Sequence, residues 1–295
     1  AGFTLMAGAL VPGAAFTLIK GRPADDLAHL RVRSRRYTSL ARDLFDARRI
    51  HEAIFPAPIT EGPIRLAYRY RPSQHIGGDF LYARRIAGAS DTDTPASLPL
   101  AVVVVDVTGH GVASALTVNR LHAEIERTLR ELPDTGPGEM LHRLNDYLHY
   151  TLAIHSVYAT AICLRIDPPD QDGRCRVQWA SGGHPPAFLR HADGSVERLW
   201  STAFMLGVVS GPDYKSDERE SILRPGESLL LYTDGAIDTP VPEGRMLEID
   251  GVESLLKSAT GDAEAIAASL DQTIGRLQSD RAVDDTLFVV ISRPA

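Results

Sequence analysis

Four apolar runs in this chain each break at an aspartate, and that placement constrains the fold more than any other feature. The motifs are Gly77-Gly78-Asp79, Val105-Asp106-Val107-Thr108-Gly109-His110-Gly111, Tyr232-Thr233-Asp234-Gly235, and Asp284-Asp285 directly before Thr286. A strand-end aspartate has its backbone fixed by the strand while its carboxylate emerges at the sheet edge. Left on separate loops, such carboxylates are solvated and cost little. Gathered at one edge they repel, and each raises the pKa of the next. A hard divalent cation removes that penalty, because Mg²⁺ and Mn²⁺ prefer carboxylate and water oxygens. The pattern therefore predicts strand ends gathered around a cation site.

Strand-like runs fall at residues 64–70, 80–86, 100–105, 157–166, 174–180, 187–191, 227–232 and 286–291. Residues 65–70 alternate, whereas Ala101 and the four valines after it are continuously apolar and predict a strand covered on both faces. Helical periodicity spans residues 112–132, 138–152, 252–258 and 263–279, with loop signals at 89–99, 168–173 and 240–244. Mixed strand spacing with helices in two blocks predicts an α+β sandwich, not a regularly alternating βαβ fold.

Residues 1–19 carry no charge, and Lys20, Arg22, Arg31, Arg33, Arg35 and Arg36 follow. An uncharged stretch near one span in length with a basic flank fits the end of a transmembrane helix, its body on the cytoplasmic side. The competing reading is an Ala/Gly-rich segment packed in a soluble domain. The chain thus divides into an apolar segment (1–23), a linker helix (24–58) and a large domain (59–295). In the linker helix Tyr37, Leu40, Leu44, Ala47, His51 and Ile54 step by three and four, the spacing of a coiled-coil seam. That spacing serves a homodimer or a helix lying on the next domain. The net charge is −7, yet residues 1–60 hold nine Lys/Arg against five Asp/Glu. The remaining body is strongly acidic, which argues against nucleic-acid binding. Cys163 and Cys175 lie in apolar runs without zinc spacing, as buried free thiols in a reducing compartment would.

Asp106 ends a valine strand, and Gly109 and Gly111 then allow a tight turn whose backbone can approach a ligand. A helix starting at Val112 would aim free N–H groups at an anion there. Asp234 repeats the design. Gly77-Gly78-Asp79-Phe80 also matches part of a diguanylate cyclase signature, but the acidic residue required before Phe is missing. For His110 and His184 the simpler role is local: a turn histidine bonded to nearby backbone, and a ring fixing a sheet hairpin.

In this order the motifs resemble those of the metal-dependent serine/threonine protein phosphatases (PPM family), within the SpoIIE- and RsbU-like bacterial regulatory branch. The resemblance runs over residues 40–292 and includes residues 47–56, 76–80, 104–116, 158–167, 180–189, 224–239 and 284–291. It implies a β-sandwich flanked by helices, with two Mn²⁺ or Mg²⁺ ions between the sheets at one end. Asp106 would bridge them, the Val107 carbonyl would add a ligand, and Asp79, Asp234 and the Asp284/Asp285 pair would complete the site. A metal-activated water would then hydrolyse a phosphoserine or phosphothreonine on a regulatory protein such as an anti-sigma-factor antagonist. The chain departs from the family at Val105, where glycine is usual, at Ser181-Gly182-Gly183-His184-Pro185-Pro186, and at Asp238 in place of glutamate. Thr286 follows Asp285 with no residue between them, so alignment on the threonine puts Val283 at a ligand position and alignment on the pair puts Asp284 there. These departures leave a second reading, a non-catalytic relay that binds a partner without turnover.

Overall fold

The computed structural model describes residues 38–39, 42–86, 95–109, 111–278 and 284–295. The apolar segment 1–23, the first part of the linker helix, His110 and Val283 lie outside the described residues. Two compact units divide the chain, residues 1–47 and 48–295, and both sheets belong to the second. Residues 42–52 are helical (α1). Among the described residues no helix is long and apolar enough to cross a membrane.

Two five-stranded antiparallel sheets face each other. The first has the order β1 (Arg65–Arg71), β12 (Thr286–Ser292), β9 (Ser228–Tyr232), β6 (Ala187–Arg190), β7 (Val196–Leu199). The second runs β2 (Asp79–Arg85), β3 (Leu100–Val107), β4 (Ala159–Ile166), β5 (Cys175–Gly182), β8 (Arg219–Leu223). Leu66, Leu229, Leu231, Val289 and Ile291 of the first meet Leu81, Val102, Val104, Ile162 and Leu164 of the second in the central core. Helices α2 (Val112–Glu131) and α3 (Pro137–Thr151) cover the outer face of the second sheet. Helices α5 (Glu248–Ser258) and α6 (Ala263–Leu277) cover the first. This is the α+β sandwich that the strand spacing predicts, with helices on both outer faces.

The valine run shows why that order forms. Val102 and Val104 point into the inter-sheet core, whereas Val103 and Val105 pack under α2 and α3. Burying each valine contributes about 1.5–3 kcal/mol, so β3 is held from both sides and its end at Asp106 is rigid. Two strands lack an apolar signal: β7 (VERL) and β8 (RESIL) are edge strands whose polar residues face water. The loop signal at 240–244 folds into a small hairpin, β10 (Pro240–Val241) with β11 (Arg245–Met246). At the C-terminal end of α1 the seam position His51 is buried, edge-on to Phe55 at 5.7 Å, and Phe55 stacks on Tyr70 at 5.0 Å. Cys163 and Cys175 are buried free thiols.

Candidate functional site

Strand register brings the first two aspartates together. Asp79 opens β2 and Asp106 nears the end of β3, and the two are direct cross-strand partners. Their side chains share a hydrogen bond. Gly78 allows this closeness: a Cβ there would lie 2.6 Å from the Val107 carbonyl oxygen and 3.2 Å from that of Gly109. The turn after β3 thus folds back over Gly78, and α2 begins immediately behind it.

Asp234 arrives from the other sheet. It starts the short helix α4 (Asp234–Ile237) at the end of β9, with Thr233 as N-cap. Thr233 is fully buried and links the sheets: its hydroxyl donates to Asp79 Oδ2 at 2.6 Å and accepts from the Leu287 N–H at 2.9 Å. Sequence reasoning did not single out Thr233, although it sits inside the Tyr-Thr-Asp-Gly motif. Only the fold shows that its hydroxyl reaches Asp79.

The Asp284–Asp285 pair separates into two roles. Asp285 is 3 % exposed and its carboxylate is fully engaged. Oδ1 accepts from the N–H and hydroxyl of Ser73 at 2.7 and 2.9 Å, and Oδ2 accepts from the Gly78 N–H at 2.7 Å. It therefore pins the loop between β1 and β2, close to the buried Tyr70 hydroxyl. Asp284 is partly exposed, and its charge acts on both Asp234 and Asp106.

The electrostatics record the crowding. Burial, followed by the charges of Asp234, Asp284 and Asp285, pushes Asp106 up to about 8. Burial, then Asp284 and Asp238, pushes Asp234 up to about 6. Asp79 is raised well above the usual carboxylate range by burial and by Asp106. Among the described residues no group of three or more His, Cys, Asp or Glu side chains is arranged to hold an ion as it stands. Asp79 is turned towards Thr233 and Asp106, and Asp285 towards Ser73 and Gly78. The fit to a divalent cation is therefore one of place and donor chemistry: hard oxygen ligands, and mutual repulsion that positive charge relieves.

Val105 does not crowd the site, because its side chain is buried on the α2/α3 side of the sheet. His184 is buried, its Nδ1 2.8 Å from the hydroxyl of Thr160, which lies opposite Asp106 in the register. Burial pushes its pKa down to about 3, so the ring is neutral and serves as a brace.

The helix-flanked double sheet is the fold of PP2C-type phosphatase domains. The SiaA PP2C domain of Pseudomonas aeruginosa superposes with a TM-score of 0.68 at 19% identity, covering 88% of this chain and 98% of that one. RsbX in complex with magnesium superposes with a TM-score of 0.54 at 17% identity, covering 80% and 98%. The family model of Stage II sporulation protein E (SpoIIE) matches residues 98–294, and the chain belongs to that family. Phosphoserine phosphatase RsbP of Bacillus subtilis is 30% identical over 256 residues, 85% of this chain. The chain spans 57% of the length of that relative.

Proposed function

We propose that this chain is a metal-dependent phosphoprotein phosphatase acting on phosphoserine or phosphothreonine of a regulatory protein. The observation that carries the reading is the convergence of Asp79 and Asp106 from one sheet with Asp234 and Asp284 from the other. In this reading Asp106, the Val107 carbonyl, Asp79, Asp234 and Asp284 would hold two Mn²⁺ or Mg²⁺ ions. When bound, such ions would lower the pKa of a water and neutralise charge developing on the phosphoryl group. The residues of the chain do the rest. Thr233 fixes the Asp79 carboxylate, Asp285 positions the Gly78 backbone, and Gly109 and Gly111 keep the turn open to a phosphate.

The proposed substrate is a phosphorylated partner-switching protein such as an anti-sigma-factor antagonist, in keeping with the phosphoserine phosphatase named RsbP. The proposed control is self-association through the linker helix, by way of residues outside the seam, Phe45 and Ile50, which are 66% and 61% exposed, since the seam positions His51 and Ile54 pack on the domain itself. Membrane attachment through residues 1–19, with the body on the cytoplasmic side, belongs to the same proposal. The non-catalytic relay loses one of its supports, because Val105 leaves the site open. The test is Mn²⁺-dependent phosphate release from a phosphoserine peptide. Asp106→Asn is expected to abolish it, and unchanged turnover in that variant would overturn the mechanism.

A further inference from the structure

The opposite end of the first sheet carries a second polar cluster that the acidic end does not use. Register pairs Arg65 with Ser292, Ser292 with Ser228, and Ser228 with Arg190. Cross-strand partners share a face, so these four residues form one row across four neighbouring strands. Two positions further along the strands, the same face carries Ala67, Val290, Leu230 and Phe188, all in the core beneath α5 and α6. The face therefore changes from apolar to Arg-Ser-Ser-Arg, beside the start of α6 with its N-cap Asp262.

A cavity of about 290 Å³ lies over this row, lined also by Gly261 and Asp262 and by Arg293. Its unpaired groups are hydrogen-bond donors. Arg65 Nε, Arg190 Nε and the Ser292 hydroxyl are buried with no partner, and Ser292 is only 7% exposed. Buried donors are almost always paired in folded proteins, so three left open around one cavity call for an acceptor. The nearby acids are already committed. Glu227 is bound by His191 Nδ1 at 2.8 Å and by the Arg224 N–H at 2.8 Å. Asp262 accepts from the Ala265 N–H at 3.0 Å and stands 3.8 Å from Arg65.

Two guanidiniums with open Nε groups, a buried hydroxyl and the start of a 15-residue helix together favour an anion, while Arg293 already donates to the carbonyls of Gly173 at 3.0 Å and Pro294 at 3.2 Å. We propose that this cavity binds the phosphate group of a small phosphorylated molecule. Phosphate suits the set better than a carboxylate, because its oxygens can meet the guanidiniums of β1 and β6 and the Ser292 hydroxyl at the end of β12 at once. The volume lies near the lower end of small-ligand pockets, leaving room for a short organic group beyond the phosphate. A bound anion would tie β1, β12 and β6 to α6, far along the strands from Asp106 and Asp234.

The test is calorimetric titration of the metal-free protein, held in EDTA, with inorganic phosphate, using acetate as the carboxylate control. Saturable one-site phosphate binding is expected, weakened about tenfold or more by Arg190→Gln and unchanged by Asp106→Asn. Ser292→Ala, which leaves the guanidiniums in place, is expected to weaken it several-fold and guards against misfolding of the arginine variant. Absence of saturable heat would overturn the proposal. So would acetate binding as tightly as phosphate, or binding lost in Asp106→Asn and retained in Arg190→Gln.

Discussion

Replacing Asp285 by asparagine tests the division of labour within the Asp284–Asp285 pair. The carboxylate accepts three hydrogen bonds from Ser73 and Gly78. Two of the donors are backbone N–H groups, one facing each carboxylate oxygen. Whichever way the amide is turned, its NH₂ meets a backbone N–H, so one bond is lost and a donor is left unpaired. A buried unpaired donor costs roughly 1–3 kcal/mol, and the surviving bonds lose their charge assistance. Removing one negative charge relieves some repulsion on Asp106, which offsets part of that cost. The net expectation is about 2 kcal/mol, or a fall in Tm of roughly 4–8 °C for a unit of this size. Thermal unfolding in EDTA reads this directly, and Mn²⁺ titration of the same samples reads the cation site. Asp284→Asn is expected to behave oppositely, with Tm unchanged or raised in EDTA and Mn²⁺ affinity reduced about tenfold or more. An unchanged Tm in Asp285→Asn together with lost Mn²⁺ binding would refute the assignment and exchange the two roles.

The metal-free protein should become less stable as pH rises. Asp234 and Asp106 have folded-state pKa values raised to about 6 and about 8, so the stability they contribute is fully present below the unfolded value of about 4. It is lost as pH climbs through the folded values. Tm measured in EDTA across that window should fall, saturating Mn²⁺ should flatten the profile, and a Tm rising with pH in EDTA would contradict the crowding. Thr233→Val removes the donor to Asp79 and the acceptor for Leu287 N–H, and should lower stability by about 1–3 kcal/mol in urea unfolding. Gly78→Ala places a methyl 2.6 Å from the Val107 oxygen; the turn must shift, and Mn²⁺ affinity should drop while secondary structure by circular dichroism is retained.

Much of this arrangement was legible along the chain. The valine run of β3 read as a strand covered on both faces, and the glycine turns after it and after β9 marked where carboxylates leave the sheets. The edge strands β7 and β8 were not legible, because a strand with water on one side and no partner on one edge needs no apolar pattern. The pairing of Asp79 with Asp106 depends on register, which a single sequence does not reveal.

By itself the sequence determined which residues could make a cation site, since carboxylates at strand ends follow from local patterning alone. The tertiary structure decided how they are used. Asp284 and Asp285 are neighbours of the same chemistry, and what sets Asp285 apart is what the loop between β1 and β2 brings to it. Ser73 and Gly78 reach Asp285 from more than two hundred residues away in the chain, which gives that carboxylate a structural task. The row of Arg65, Ser292, Ser228 and Arg190 has the same origin. Each residue is unremarked in its own segment, and only the order of the strands sets them side by side.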